Sequence, residues 1–229
     1  MNNIKITDVF FDLDHTLWDF DRNSALAFKL VFQKHNVQID LQDFLKIYEP
    51  INFNYWKAFR EERVTKQQLR RGRLADSFTA LKHTISVQII DEMSDSYIEF
   101  LPENNYLLDG TIEILDYLKP KYNLHIITNG FTDVQGIKMK RSGLSPYFKT
   151  ITSSEEVGVK KPNPLVFHHA LKKGNTLAES SAMIGDTFEA DILGAEAVGM
   201  DTIFYNYHKD VQRSGYKVVE RLLEIKGLL

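Results

Sequence analysis

Short apolar segments recur along most of the chain, and longer segments with helical spacing separate them. The first, residues 6–11, is rich in β-branched and aromatic side chains, which favours a buried strand. Similar patterns predict further strands at residues 124–128, 148–153, 182–185 and 202–205. Helical patterns accompany them at residues 111–119, 132–142, 162–173, 189–198 and 211–225. Strands that alternate with helices predict an α/β fold, in which helices cover both faces of a mostly parallel sheet.

The chain between the first strand and the later ones has a different pattern. It contains four long segments with helical periodicity, at residues 24–35, 41–61, 66–82 and 87–100. This predicts an all-helical block inserted after the first strand, with a linker near residues 102–105. We therefore expect two units, namely a sheet-containing core of residues 1–17 and 104–229 and a helical insertion of residues 18–103.

Composition narrows the classes of protein. The 229 residues include 28 basic and 31 acidic side chains, so no overall positive charge favours binding to a nucleic acid polymer. The absence of cysteine excludes disulfides, zinc–thiolate sites and cysteine nucleophiles. No apolar run approaches the roughly 18 residues that a membrane span needs, and the first residues do not resemble a signal peptide. We expect a soluble, cytoplasmic protein without a membrane partner.

Polar residues follow four of the predicted strands at the point where each strand ends. They are Asp12 and Asp14, Thr128 and Asn129, Lys161, and Asp186 with Asp191. In open α/β sheets, ligands bind outside the carboxyl ends of the strands, so we expect these side chains to converge. Carboxylates that meet in one crevice repel each other unless a cation lies among them, and oxygen ligands favour Mg²⁺.

This set of residues suits the chemistry of a phosphate ester. Lys161 and the Thr128 hydroxyl would bind the phosphate, together with Asn129 and nearby backbone N–H groups. Asp12 would attack phosphorus as a nucleophile and form an aspartyl-phosphate. Asp14 would protonate the leaving oxygen and later deprotonate water.

Four motifs of this chain resemble those of the haloacid dehalogenase superfamily, and they occur in the same order over nearly the whole chain. They are Asp12-x-Asp14-x-Thr16, Thr128-Asn129-Gly130, Lys161-Pro162 and Gly185-Asp186-x4-Asp191. The resemblance implies a Rossmann-like core with a helical cap domain. It also implies that the Asp12 side chain, the Asp14 backbone carbonyl and Asp186 bind Mg²⁺, with Asp191 as a supporting residue just outside the direct ligands.

Residues 10–17, 127–132 and 154–163 more closely resemble the bacterial pyrimidine 5′-nucleotidase branch of that superfamily. The resemblance implies hydrolysis of a small phosphate monoester, with a nucleoside 5′-monophosphate preferred. Trp18, Phe20 and Trp56 are candidates for lining the substrate pocket, since the first two follow the catalytic loop and the third lies in an aromatic segment of the cap.

Other functions remain open from the sequence. A sugar-phosphate phosphatase or a phosphomutase would use the same phospho-aspartate. A dehalogenase is disfavoured, because a halide leaves without protonation and a general acid at Asp14 would then have no role. A phosphoacceptor signalling module of the receiver type is disfavoured, because that fold is about half this length and places its acceptor in the middle of the chain. The sequence does not indicate an oligomeric state.

Overall fold

A six-stranded, wholly parallel sheet forms the centre of the computed structural model, which describes residues 5–209 and 214–229. The strands are β1 Asp8–Phe11, β2 Asn123–Thr128, β3 Thr150–Ser153, β4 Ser181–Gly185, β5 Asp201–Tyr205 and β6 Lys217–Val219, arranged in the order β3-β2-β1-β4-β5-β6. The predicted parallel α/β sheet is confirmed.

Contacts divide the chain into two compact units. The first comprises the residues up to Phe20 and those from Asn105 onward, and the second is Asp21–Asn104. Four helices account for most of the second unit: α1 Phe20–Lys34, α2 Leu41–Arg60, α3 Lys66–Ala80 and α4 Val87–Phe100. The first unit contains α5 Thr111–Leu118, α6 Thr132–Arg141, α7 Ser154–Val157, α8 Pro164–Gly174 and α9 Gly194–Glu196.

Both faces of the sheet are buried, as a parallel sheet with crossover helices requires. On one face, Phe10, Ile127 and Met183 pack in a cluster with Val166 and Phe167 of α8. On the other face, the ring of Phe11 meets that of Phe148 edge-on, with ring centroids 6.3 Å apart. Burial on both faces explains why β1 and β4 contain continuous apolar runs, at residues 9–11 and 182–184, instead of alternating patterns.

The register of the strands places the motif residues at one edge. Phe11, the last residue of β1, pairs with Ile126 of β2 and with Ile184 of β4. All the strands are parallel, so the residues that follow them emerge at the same carboxyl edge of the sheet. Asp12, Thr128 and Asp186 therefore belong to one site.

The helical unit has its own aromatic core. Phe28 stacks on Tyr97 at 4.5 Å and meets Phe44 and Tyr48 edge-on. Arg73 is buried within this core, where its guanidinium group lies 4.9 Å from the centre of the Tyr97 ring. This core gives the insertion a hydrophobic interior that is independent of the sheet.

Two predicted helices of the first unit are wrong in part. Residues 211–225 were expected to form one helix, but β6 and a 3₁₀ helix at Leu222–Gly227 lie in this part of the chain instead, and residues 210–213 lie outside the described residues. The helical spacing of the apolar residues gave no sign of the short edge strand β6, whose Val218 and Val219 pair with β5. Residues 189–198 form a π-helical turn, Phe188–Leu193, followed by the short helix α9.

In the parts of the chain that the structure describes, no helix combines the length and the apolar character needed to cross a membrane.

Candidate active site

Lys161 lies at the centre of the carboxyl edge, almost fully buried. Its Nζ donates hydrogen bonds to Asp12 Oδ1 at 2.6 Å and to the Ile127 carbonyl at 2.7 Å, and it lies 2.6 Å from Asp191 Oδ1. Burial lowers the pKa of this ammonium group, but the Asp12 and Asp191 carboxylates outweigh burial and raise the pKa above its usual value. Lys161 therefore carries its positive charge at neutral pH.

Asn129 fixes the backbone that carries this lysine. Its side-chain amide donates to the Lys161 carbonyl at 3.1 Å, and its Oδ1 accepts from the Lys161 N–H at 2.8 Å. The Asn129 side chain is thus a brace between two loops of the site. Its predicted contact with phosphate stays a prediction.

Three carboxylates surround the lysine. One oxygen from each of Asp12, Asp186 and Asp191 lies within 4.8 Å of the other two. Burial raises the pKa of Asp12, and repulsion from Asp191 and Asp186 raises it further. Lys161 offsets these effects only in part, so the pKa of Asp12 is about 8. One ammonium group cannot balance three buried carboxylates, so the donor set fits a further cation with a preference for oxygen, such as Mg²⁺.

Both carboxylate oxygens of Asp191 contact neighbouring residues. Besides the ion pair with Lys161, its Oδ2 accepts a hydrogen bond from the Thr187 N–H at 2.9 Å. It lies on the π-helical turn, an irregularity that recurs at functional sites. A β-carbon on Gly185 would lie 2.3 Å from Asp191 Oδ2, so only glycine leaves room for this carboxylate.

Asp186 has contacts on both of its oxygens. Thr16 donates a buried hydrogen bond to Oδ1 at 3.1 Å, and His208 Nε2 lies 3.6 Å from Oδ2. Burial raises the pKa of Asp186, but His208, His15 and Lys161 together outweigh burial and hold the pKa below its usual value. Asp186 is therefore ionised at neutral pH, and the Thr16 hydrogen bond helps to hold its carboxylate in place.

Asp14 occupies a separate environment, although only one residue separates it from Asp12. Lys138 Nζ donates to Asp14 Oδ1 at 2.6 Å, and Gln135 Nε2 donates to Oδ2 at 2.9 Å. Lys138 is 2% exposed, and its Nζ lies 4.0 Å from the centre of the Trp18 ring. The carboxylate is thus fixed at both oxygens.

Sequence reasoning missed Gln135 and Lys138. Both lie on α6, three residues apart, and that spacing puts their side chains on the same face of the helix. The sequence did contain one indication of such a role. A glutamine and a lysine lie on the first helix after the Thr128 motif, and neither is part of an apolar face of that helix.

The Thr128 hydroxyl is arranged to act as a donor. Its Oγ1 accepts from the Gly130 N–H at 3.0 Å and from Gln135 Nε2 at 2.7 Å. Both acceptor positions of the hydroxyl are then in use, so its proton points elsewhere. A hydroxyl donor beside a buried lysine suits an anion such as phosphate.

The three predicted pocket residues lie in different settings. Trp18 is fully buried beneath Lys138, and Phe20 is largely buried with its ring 4.9 Å from that of His15. Trp56 is half-buried in the helical unit, where it meets Phe59 edge-on at 5.7 Å. Their contact with a substrate stays a prediction.

A sequence profile described as haloacid dehalogenase-like hydrolase matches residues 9–205. The chain belongs to this family. The predicted family is thereby confirmed, and the match includes all four motifs and the helical unit.

Three similar proteins match this chain over most of its length. The pyrimidine 5′-nucleotidase YjjG of Escherichia coli K12 is 33% identical over 96% of both chains. The pyrimidine 5′-nucleotidase PynA of Streptococcus pneumoniae R6 is 34% identical over 87% of this chain and 84% of its own. The crystal structure of the HAD-hydrolase YfnB from Bacillus subtilis, bound to magnesium, is 29% identical with a TM-score of 0.89, and the match covers 98% of this chain and 99% of that one. These matches confirm that the chain is a hydrolase of the phosphatase type.

Replacing Gly185 by alanine should disrupt the Asp191 contacts. The new β-carbon would displace a buried carboxylate from Thr187 and Lys161, and we expect a loss of about 2 kcal/mol in the free energy of unfolding. Gly136→Ala is the matched control, because Gly136 lies on the exposed side of α6 with nothing within 4 Å of a new β-carbon. The control should gain up to about 1 kcal/mol. Equal stability of the two variants in urea denaturation would contradict this role of Asp191.

Proposed function

We propose that the protein is a Mg²⁺-dependent phosphate monoester hydrolase that acts through a phospho-aspartate on Asp12 and prefers nucleoside 5′-monophosphates. The main observation in support is that two aspartates, two positions apart, have different partners. Asp12 is buried against Lys161, while Asp14 is more exposed and held by Lys138 and Gln135. Such a division suits one nucleophile and one acid/base.

The Asp12 and Asp186 side chains and the Asp14 backbone carbonyl would hold Mg²⁺. Bound there, the ion would withdraw charge from the phosphoryl oxygens and favour the ionised form of Asp12. Asp191 would act through Lys161 and Thr187, because both of its oxygens are already engaged.

The residues of the chain carry the two chemical steps. In the first, a carboxylate oxygen of Asp12 attacks phosphorus while the proton of the Asp14 carboxyl group passes to the leaving alkoxide. In the second, the Asp14 carboxylate takes a proton from water, whose oxygen attacks phosphorus and releases Asp12 and inorganic phosphate. Thr128 and Lys161 hold the phosphoryl oxygens throughout.

The similarity to YjjG and PynA supports a nucleotide as the substrate, since both relatives are named as pyrimidine 5′-nucleotidases. The substrate class is therefore a small phosphate ester with a pyrimidine nucleoside as the preferred leaving group. A sugar phosphate, acted on by a phosphatase or a phosphomutase, is the alternative that uses the same catalytic residues.

A substrate screen tests this preference. We expect kcat/KM for pyrimidine nucleoside 5′-monophosphates to exceed that for sugar phosphates by about 10-fold or more, because a base-binding pocket adds specific contacts. Chelation of divalent ions should stop turnover of every substrate. Higher kcat/KM for sugar phosphates would refute the nucleotide preference but not the chemistry, whereas turnover that survives chelation would refute the metal requirement.

The role of Asp14 predicts sensitivity to the leaving group. Asp14→Asn should slow alkyl phosphates by about 10²-fold or more relative to p-nitrophenyl phosphate, whose leaving group needs little protonation. Lys138→Met should show the same bias to a smaller extent, since it releases one oxygen of Asp14. Lys140→Met on the exposed side of α6 is the control and should behave as wild type. If the rate of hydrolysis fell by the same factor for both substrates in Asp14→Asn and Lys138→Met, general acid catalysis by Asp14 would be contradicted.

A further inference from the structure

Two histidines lie beside Asp186. His15 belongs to the loop after β1, and His208 follows β5. Their ring centroids are 5.1 Å apart, and His208 Nε2 lies 3.6 Å from Asp186 Oδ2. The catalytic steps on Asp12 and Asp14 use neither imidazole.

The spacing of these three side chains would allow them to hold one metal ion. One nitrogen of each imidazole and one carboxylate oxygen of Asp186 all lie within 4.8 Å of one another. A tetrahedral zinc ion with bond lengths of about 2.1 Å holds neighbouring ligand atoms about 3.4 Å apart. The 3.6 Å between His208 and Asp186 is close to that separation and longer than a normal hydrogen bond.

The backbone and the surrounding rings fix the two imidazoles. His15 has a φ of 60°, a left-handed conformation that few non-glycine residues adopt, and its N–H donates to the Trp18 carbonyl at 3.1 Å. The ring of Tyr207 lies 5.3 Å from that of His15 and 4.8 Å from that of His208. A strained backbone that directs a side chain towards a cluster is typical of a functional position.

The chemistry of this cluster differs from that of the neighbouring site. Asp12, Asp186 and Asp191 offer only oxygen, which suits Mg²⁺, whereas two imidazoles and a carboxylate suit a borderline transition ion such as Zn²⁺. Asp186 belongs to both groups. An ion bound by the histidines would therefore use the carboxylate that Mg²⁺ needs at the all-oxygen site of Asp12, Asp186 and Asp191, which we call the oxygen site.

We propose that His15, His208 and Asp186 form a second metal site, which binds a borderline divalent ion such as Zn²⁺ and competes with Mg²⁺ for Asp186. Binding at this site inhibits the Mg²⁺-supported reaction. The competition rests on the proposed function, but binding of the ion does not.

Titration of the metal-stripped protein with Zn²⁺ in a calorimeter tests the site without substrate or Mg²⁺. His208→Gln and His15→Gln should each weaken Zn²⁺ binding by about 10-fold or more. Mutation of a residue that only orients a metal ligand already lowers metal affinity by that factor, and removal of the ligand itself should lower it at least as much. His168→Gln, on the exposed side of α8, is the matched control and should bind Zn²⁺ as wild type does. Circular dichroism of the metal-free variants checks that each is folded.

Equal Zn²⁺ affinity in wild type, His15→Gln and His208→Gln would overturn the proposal and place the ion at the oxygen site. In the phosphatase assay with Mg²⁺, the Zn²⁺ concentration for half-inhibition should rise about 10-fold in His208→Gln. An unchanged value would refute the competition. If no substrate is hydrolysed by wild type, the proposed function fails, while the calorimetric result still decides whether the second site exists.

Discussion

The ammonium group of Lys161 is the interaction on which the arrangement of the site depends. A buried charge is costly unless it is paired and hydrogen-bonded, and Lys161 reaches Asp12, Asp191 and the Ile127 carbonyl within 2.7 Å. Each of these partners comes from a different strand end or from the turn after one. The lysine thereby joins three segments that are far apart in the sequence.

Several neighbouring features are consequences of placing that lysine. Asn129 braces its backbone, and Gly185 leaves room for the carboxylate of Asp191. The π-helical turn presents Asp191 to Lys161 and to the Thr187 N–H. The cluster nevertheless retains more carboxylates than one lysine balances, which is why a divalent cation fits it.

A second lysine has the corresponding role for Asp14. Lys138 and Gln135 fix both oxygens of that carboxylate, and Gln135 also bonds to Thr128. The Asp14 carboxylate and the Thr128 hydroxyl are thus connected through one amide. This link fixes the position of Asp14 relative to the predicted phosphate site.

Much of the fold and the site could be predicted from the sequence, because motifs at strand ends and apolar runs are local patterns. The parallel sheet and the convergence of Asp12, Thr128, Lys161 and Asp186 follow from those patterns. Gln135, Lys138 and His208 were missed as site residues, because their roles arise from where α6 and the chain after β5 lie in space. The short strand β6 was missed because its pairing with β5 is a long-range contact that no local period reveals.

The central claim is that Asp12 carries the phosphoryl group between the two steps. Rapid quenching of the enzyme during turnover, followed by borohydride reduction and peptide mass spectrometry, tests it directly, because reduction converts an aspartyl-phosphate into homoserine. We expect homoserine at position 12 when substrate is present, and none without substrate. Homoserine at another aspartate, or its absence during demonstrated turnover, would contradict the assignment of Asp12 as the nucleophile.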